Sequence, residues 1–458
     1  MMKLSDIKNI YFLGIGGIGM SALARYFKAN GVQVSGYDKT KTSLTEELIK
    51  EGILVHFEDD VNSLPQEIDL VIYTPAIPAE HKEFRFLKEK GYQMMKRAEI
   101  LGLITGDSFT VAVAGTHGKT TTTSMIAHIL KQSGKDVFSF IGGITKNYNS
   151  NLILSEKNSL AIVEADEFDR SFLHLRPDIA VISSMDADHL DIYGSKDYMV
   201  ESFKLFADRI KPGGKLIIKK SLELPAVAAQ SLTYSAKEKA DYFVSDVKIE
   251  KGNYQYKVHC PDNIVISVKT GVPGMHNVEN AVATIAVALN LEVKPEEIEN
   301  AIQSYTGVIR RFDYHIKEDE LVFIDDYAHH PEEIKACLRT ARELYPGKKI
   351  TGIFQPHLYT RTRDLAEGFA DSLAMLDELI LLEIYPAREL PIEGITSQML
   401  LDKIEIKNKM ICSKENLIEE LIKRKLEVLI TLGAGDIDQL VVPIEKSLKN
   451  ILNVMKTY

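Results

Sequence analysis

Residues 110–122 read TVAVAGTHGKTTT, an apolar run that passes directly into a cluster of glycine, lysine and threonine. The apolar part predicts a buried parallel strand, and residues 123–132 have the character of a following helix. Glycine amides, the Lys119 ammonium and the Thr120 hydroxyl are the groups that bind a nucleotide triphosphate and its Mg²⁺. The spacing departs from a Walker A loop, because Val113 stands where that loop has its first glycine. A glycine-rich helix start without a ligand is the alternative.

A similar opening stands near the start of the chain, where residues 10–19 read IYFLGIGGIG. A buried strand here runs into a G-x-G-x-x-G loop, and Asp38 follows about 20 residues after the loop, as in dinucleotide sites. Small residues let the backbone of Gly16, Gly17 and Ile18 approach a pyrophosphate at a helix N-terminus. By itself the motif fits a nicotinamide or flavin site, a nucleotide-sugar site, or a tight turn without a ligand.

A third strand and glycine loop lies in residues 427–436, EVLITLGAGD, although a plain turn between strand and helix fits it equally well. Three such openings predict an α/β protein of three domains. We expect an N-terminal Rossmann-like domain (1–106), a central P-loop-type ATP-binding α/β domain (107–312) and a C-terminal Rossmann-like domain (313–458). Alternating residues between 242 and 268 add a β-rich edge to the central domain.

Two acidic loops follow successive predicted strands, EADEFD at 164–169 and DADHLD at 186–191. Because the carboxyl ends of parallel strands meet at one sheet edge, Glu164 and His189 are placed to bind Mg²⁺ beside the phosphate loop. Solvated acidic loops are the alternative. Further along, Asn277 and Asn280 lie about one helical turn apart, which suits adenine recognition or helix capping.

Composition narrows the class of protein. The chain has 458 residues and a formal net charge of -10, which excludes a surface built for a nucleic-acid backbone. Its three cysteines form no C-x-x-C pair, so neither a disulfide framework nor a zinc site is indicated. No segment is long and apolar enough for membrane insertion, and no cleavage signature follows the first apolar stretch. We therefore expect a cytoplasmic protein, and a homodimer is compatible with the sequence.

Taken together, the motifs resemble those of the Mur ligases of bacterial cell-wall synthesis. They occur in family order at 14–20 (GIGGIGM), 115–122 (GTHGKTTT), 164–167 (EADE), 188–189 (DH), 276–280 (HNVEN), 310–312 (RRF), 326–331 (DYAHHP) and 354–357 (FQPH). The resemblance implies an ATP- and Mg²⁺-dependent ligase whose substrates are UDP-N-acetylmuramate and L-alanine. It also implies an acyl-phosphate intermediate.

The resemblance also assigns residues to roles. It implies nucleotide phosphates on Gly115, Thr116, His117, Gly118, Lys119, Thr120 and Thr121, and Mg²⁺ on Thr120, Glu164 and His189. It implies adenine near Asn277 and Asn280, ribose near Asp326, and the γ-phosphate near Arg311, for which a surface ion pair is the alternative. The UDP substrate belongs to the first domain, with Gly16, Gly17, Ile18 and Asp38 as candidates. Tyr327, His329, His357 and Arg361 match positions for alanine or the product carboxylate, and Arg388 is a further substrate candidate.

The predicted catalytic residues are Lys119, Arg311 and His329, where His329 either accepts a proton or orients the amine. One departure from the family is Leu358, which stands where many members have arginine. Rival functions are an NAD-dependent oxidoreductase built on residues 14–38 and a non-catalytic nucleotide-dependent module. Within the ligase class, the rivals attach a preformed peptide to the same sugar nucleotide or act as folylpolyglutamate-type ligases.

Overall fold

The structure is a computed structural model that describes residues 4–186, 196–250, 252–387 and 389–457. Three β-sheets follow one another along the chain, and helices alternate with their strands. This arrangement confirms the predicted α/β fold with three sheet-containing domains.

The first sheet has five parallel strands in the order β3-β2-β1-β4-β5. Its strands are β1 (Asn9–Leu13), β2 (Gln33–Tyr37), β3 (Leu54–His56), β4 (Leu70–Tyr73) and β5 (Met94–Lys96), and its helices are α1 (Ile18–Ala29), α2 (Ser43–Lys50), α3 (Lys82–Glu89) and α4 (Arg97–Thr105). The order places β1, which leads into the first glycine loop, at the centre of the sheet.

The second sheet has ten strands in the order β15-β14-β13-β12-β11-β10-β6-β9-β7-β8. They are β6 (Phe109–Ala114), β7 (Val137–Thr145), β8 (Ser150–Ile153), β9 (Leu160–Ala165), β10 (Ile179–Ile182), β11 (Lys215–Lys219), β12 (Gln230–Ser235), β13 (Tyr242–Glu250), β14 (Asn253–His259) and β15 (Val265–Thr270), with helices α5 (Lys119–Gln132), α6 (Lys196–Ala207), α7 (Met275–Asn290) and α8 (Pro295–Ser304). Parallel strands β9, β6 and β10 end in register at Ala165, Ala114 and Ile182. The loops after these three strands therefore leave the sheet at one edge.

The third sheet has six strands in the order β16-β17-β21-β18-β19-β20, of which only β16 is antiparallel to its neighbour. They are β16 (Asp313–Lys317), β17 (Val322–Asp326), β18 (Ile350–Phe354), β19 (Glu378–Leu381), β20 (Asn408–Ile411) and β21 (Val428–Leu432), with helices α9 (Pro331–Leu344), α10 (Tyr359–Asp364), α11 (Ala366–Leu373), α12 (Ser397–Lys403), α13 (Leu417–Ile422) and α14 (Asp438–Thr457). The strand β21 confirms the third predicted opening, because it leads into Gly433.

The chain forms two compact units. Residues 1–247, 255–270 and 279–307 make up one unit, which holds the first sheet and most of the second. Residues 248–254, 271–278 and 308–458 make up the other, which holds the third sheet. The three domain boundaries given above remain a prediction. In the described part of the chain, no helix combines the length and apolar character needed to cross a bilayer.

Within the first unit, α1 packs on the hairpin of β7 and β8. The Tyr26 ring of α1 lies 6.2 Å from the ring of Phe138 and 5.4 Å from that of Phe140. These side chains belong to one continuous apolar core that is shared by the first two sheets. The helix after the first glycine loop is thus anchored on the sheet that carries the phosphate loop.

Candidate active site

The phosphate loop, residues 115–118, joins β6 to α5 at the carboxyl edge of the second sheet. Gly115 and Gly118 have φ values of 137° and 82°, a region of backbone conformation that glycine adopts without strain. Gly118 is the residue before α5, and no side chain caps this helix N-terminus. The positive end of the helix dipole therefore faces the loop, where an anion is stabilised.

Two serines after β10 hold the loop in shape. The Ser184 hydroxyl accepts hydrogen bonds from the amide of His117 at 2.7 Å and from the hydroxyl of Thr116 at 3.0 Å. Ser183 Oγ donates to the carbonyl oxygen of His117 at 2.5 Å. Contacts with the segment after β10 thus fix the shape of the loop.

Lys119 begins α5, and acceptors surround its ammonium. Nζ donates to the carbonyl oxygen of Gly115 at 2.6 Å and to the two carboxylate oxygens of Glu167 at 2.7 and 2.9 Å. The Glu167 side chain is 1% exposed. Burial opposes the charge of Lys119, but the carboxylates of Glu167, Asp166 and Glu164 outweigh it and raise the pKa of Lys119. Lys119 is therefore a fixed positive charge at the phosphate loop.

Glu164, a predicted metal ligand, lies at the end of β9 beside Thr120. Its Oε1 accepts a hydrogen bond from the Gly142 amide at 2.5 Å, and the Thr120 side chain bonds the same carboxylate. Burial raises the pKa of Glu164. Two neighbouring oxygen donors fit Mg²⁺, which prefers oxygen ligands. Across the described ranges no three acidic, histidine or cysteine side chains form a metal cluster, and the third predicted ligand, His189, lies outside them.

The two asparagines of α7 make different contacts. The Asn280 side chain lies against the phosphate loop, because a Cβ on Gly118 would be 2.7 Å from Asn280 Oδ1. Asn277 Nδ2 donates to the carbonyl oxygen of Pro273 at 2.6 Å. Both asparagines are buried. Their predicted role at the adenine stays a prediction.

The first glycine loop, residues 14–17, is fixed by hydrogen bonds within the first sheet. The amides of Gly14 and Ile15 donate to the carbonyl oxygen of Tyr37 at 2.8 and 3.0 Å. The Gly16 amide donates to the Asp38 carboxylate at 2.7 Å. The structure therefore brings Gly16, Gly17, Ile18 and Asp38 together. It leaves α1 without a side-chain cap at Gly17, where an anion is favoured.

In the second unit, Tyr327, His329 and His357 lie together after β17 and β18. The His329 ring lies 5.2 Å from the Tyr327 ring and 6.3 Å from the His357 ring. Glu333 accepts a hydrogen bond from the His329 amide at 3.1 Å and lies 3.2 Å from His329 Nδ1. It also lies 3.8 Å from the guanidinium of Arg311. This arrangement holds the His329 ring in one orientation.

Arg361 and Arg388 are the remaining substrate candidates of this domain. Arg361 lies on the short helix α10. Leu358 precedes that helix in a backbone conformation with a φ of 68°, and it is buried. Arg388 lies outside the described residues. The roles of Arg361 and Arg388 therefore stay predictions.

Asp326, at the end of β17, bonds the protein's own backbone. Its two carboxylate oxygens accept hydrogen bonds from the amides of Phe312 and Ala328, both at 2.8 Å. Burial raises the pKa of Asp326 to about 6, although the nearby Arg311 opposes this shift. The carboxylate therefore ties the Arg310–Phe312 segment to β17, and its predicted contact with a ribose stays a prediction.

Known proteins match this chain along nearly its whole length. Three family models match in succession: the Mur ligase family catalytic domain at 9–108, the Mur ligase middle domain at 113–288 and the Mur ligase glutamate ligase domain at 310–435. The UDP-N-acetylmuramate--L-alanine ligase of Flavobacterium johnsoniae is 54% identical, with 98% of this chain and 99% of that protein aligned. The chain belongs to the Mur ligase family.

Other Mur ligases give the same result. The UDP-N-acetylmuramate--L-alanine ligase of Parabacteroides distasonis is 49% identical over 98% of each chain. The crystal structure of the UDP-N-acetylmuramate-alanine ligase of Thermotoga maritima has a TM-score of 0.84 at 29% identity, over 96% of this chain and 99% of that one. A murein peptide ligase from Psychrobacter arcticus has a TM-score of 0.73 at 22% identity, over 97% of this chain and 99% of that one, and so shares the fold.

Several contacts of this Mur ligase were not assigned from its sequence. Glu167 was part of an acidic run, but its pairing with Lys119 was not predicted. The roles of Ser184 at the phosphate loop, Glu333 at His329 and Gly142 at Glu164 were also missed. Ser184 carried one usable signal, because it follows a predicted strand at the same sheet edge as the loop. The other two have no local pattern that marks them.

We expect Asp326 to make the stability of this Mur ligase depend on pH. The pKa of Asp326 in the folded protein, about 6, lies above the ordinary value of 3.8. Its contribution to the free energy of unfolding is therefore present below about pH 4 and is lost as the pH rises through about 6. A pKa difference of this size corresponds to about 3 kcal/mol in the free energy of unfolding. Urea unfolding of the wild type and of Asp326→Asn between pH 4 and 7 tests this. The wild-type free energy of unfolding should fall relative to that of the variant, and parallel curves would contradict the assignment.

Proposed function

We propose that this Mur ligase uses ATP to join L-alanine to the lactyl carboxylate of UDP-N-acetylmuramate, in the synthesis of peptidoglycan precursors. One observation carries the proposal: a half-buried, charged lysine follows the phosphate loop directly, beside a carboxylate and hydroxyl pair that suits Mg²⁺. The substrates follow from relatives that are named for them and are about half identical over nearly the full length.

The chemistry begins with activation, because a carboxylate is a poor electrophile. Transfer of the γ-phosphoryl group of ATP to a lactyl carboxylate oxygen breaks its bond to ADP and forms an acyl phosphate. The Lys119 ammonium and the N-terminus of α5 offset the charge on the phosphates during this step. The neutral amine of L-alanine then attacks the acyl carbon. Loss of a proton from nitrogen and departure of phosphate complete the amide.

Mg²⁺ is the second cofactor of the reaction. When bound, it supplies positive charge to the phosphate oxygens. Thr120 and Glu164 are the described residues that would hold it, since their oxygens already lie side by side. The Gly142 amide holds one oxygen of Glu164 and so orients the carboxylate that would bind the ion.

For the alanine step, we assign His329 to the incoming amine. Glu333 and the carbonyl oxygen of Tyr327, which lies 3.1 Å from His329 Nδ1, fix the tilt of the imidazole ring. A ring held in this way either accepts the amine proton or orients the amine. The roles of Tyr327, His357, Arg361 and Arg388 in binding the carboxylate belong to the same assignment. Arg311 is assigned to the γ-phosphate.

The proposal places the reaction in the cytoplasm, where ATP and sugar nucleotides are available. No nucleic acid takes part, and the negative net charge agrees with that. A homodimer stays a prediction.

Phosphate release with different amines tests the proposed function. We expect release to require ATP, UDP-N-acetylmuramate and an amine together. The kcat/KM for L-alanine should exceed those for glycine and L-serine by about 10-fold or more, because a missing methyl or an added hydroxyl changes the fit of a small pocket. A preference for a cell-wall tripeptide would contradict the choice of amine. No release with any amine would contradict the ligase activity.

A further inference from the structure

Asn151 lies where the first and second sheets meet, at the second residue of β8. Its side chain is fully buried. Nδ2 donates to the carbonyl oxygen of Ile18 at 2.6 Å and to the hydroxyl of Ser21 at 2.9 Å, while Oδ1 accepts from the guanidinium of Arg25 at 2.6 Å. All three partners belong to α1, the helix that begins at the first glycine loop.

These three bonds fix α1 more strictly than its apolar contacts do. Packing of Tyr26 on Phe138 and Phe140 buries area but is non-directional, so it tolerates small sliding movements. A buried amide, by contrast, loses stability whenever one of its polar atoms lacks a partner. Because the partners of Asn151 lie on two successive turns, its bonds resist both sliding along the helix axis and rotation about it.

The same hairpin reaches the predicted ATP site on its other strand. The strand β7 pairs with β8, and Gly142 of β7 donates to the Glu164 carboxylate at 2.5 Å. The path from the first glycine loop to Glu164 therefore runs through α1, Asn151 and one paired hairpin. A second link exists between the same two sheets, since Arg97 at the start of α4 bonds the Asp166 carboxylate at 3.0 Å.

We propose that Asn151 is a positioning residue that holds the sugar-nucleotide loop of the first sheet at a set distance from the phosphate loop of the second. This inference rests on the proposed function. The lactyl carboxylate must meet the γ-phosphate at near-attack distance, and a misplacement of about 1 Å costs about 10²-fold in rate. Asn151 acts through α1, by one bond to the helix backbone and two bonds to helix side chains.

The test compares Asn151→Ala with a matched asparagine, Asn147→Ala. Asn147 lies four residues earlier and bonds Ser304 and Thr306, which are remote from the first sheet. For Asn151→Ala we expect kcat for phosphate release to fall about 10- to 100-fold, while the Kd for ATP, measured by calorimetric titration, is unchanged. For Asn147→Ala we expect kcat to stay within about 2-fold of the wild type.

Two other results for Asn151→Ala would overturn the inference. Unchanged kcat in Asn151→Ala overturns the inference, and so does a Kd for ATP that weakens in parallel with kcat, because general loss of structure would then explain both. If Asn151→Ala does not fold, Ser21→Ala removes one bond of the three and should still lower kcat about 3-fold or more at unchanged Kd. Full activity of Ser21→Ala then overturns the inference. If the wild type is inactive, the proposed function itself is wrong. If the wild type is active, the results for the variants decide only the role of Asn151.

Discussion

Lys119→Met is expected to lower phosphate release by at least about 10³-fold and to destabilise the fold at the same time. Catalysis is lost because Lys119, the first residue of α5, holds its positive charge against the phosphate loop. Methionine has a similar length and fills the same volume, so the loss of activity measures the effect of removing the charge. Phosphate release at saturating ATP, UDP-N-acetylmuramate and L-alanine measures it.

The loss of stability has a separate cause. Without Lys119, the buried carboxylate of Glu167 loses the ammonium that lies 2.7 Å away, and breaking a buried ion pair by removal of one partner costs about 3 kcal/mol or more. Burial already raises the pKa of Glu167, and loss of Lys119 raises it further. The deficit relative to the wild type should therefore shrink as the pH falls, because Glu167 then takes up a proton. Urea unfolding at pH 7.5 and pH 5.5 tests this.

A double variant separates the two effects. Lys119→Met with Glu167→Gln should regain most of the lost stability, because the side chain at 167 is then neutral, yet it should stay inactive. Lys131→Met serves as the control, since Lys131 lies in the last turn of α5 and its ammonium lies 5.0 Å above the Tyr148 ring. It should cost less than about 1 kcal/mol and keep full activity. Recovery of activity in the double variant would show that Lys119 is not needed at the phosphates.

The fold was predictable because its signals are local. Each apolar run followed by glycines marked a strand and a loop, and β1, β6 and β21 confirm all three. The helix after the phosphate loop is predicted too late, at residue 123, whereas α5 begins at Lys119. Threonine has a low helix propensity, but Thr120, Thr121, Thr122 and Thr123 are buried inside α5, where tertiary packing outweighs propensity.

The site was predictable only where its residues form a motif. Lys119 and Glu164 stand in recognisable patterns, whereas Asn151 and Glu333 do not. The contacts of Asn151 and Glu333 depend on how loops close or on partners that are distant in the chain. The bond from Asn151 to Ile18, for example, spans 133 positions. A single sequence holds no record of such contacts.

Gly142→Ala is expected to weaken Mg²⁺ binding although it replaces none of the predicted ligands. A Cβ at this position would lie 2.4 Å from Glu164 Oε2 and 2.7 Å from Oε1, so the carboxylate has to move. The hydrogen bond from the Gly142 amide is then lost or bent. Loss of a partner that orients a metal ligand lowers metal affinity about 10- to 100-fold. The Mg²⁺ concentration for half-maximal phosphate release should rise by that factor, and so should the Kd for Mg²⁺ with ADP.

A glycine with free space around it provides the matched control. Among the described residues, a Cβ on Gly271 would meet only Asn253 Oδ1, at 3.6 Å, which is ordinary contact. Gly271→Ala should therefore keep the wild-type Mg²⁺ dependence. If Gly142→Ala lowers kcat but leaves the Mg²⁺ dependence unchanged, Glu164 does not bind the metal, and its carboxylate serves the loop instead. If saturating Mg²⁺ restores most of the activity, the shift in affinity explains the defect, because the reacting groups themselves are then still in place.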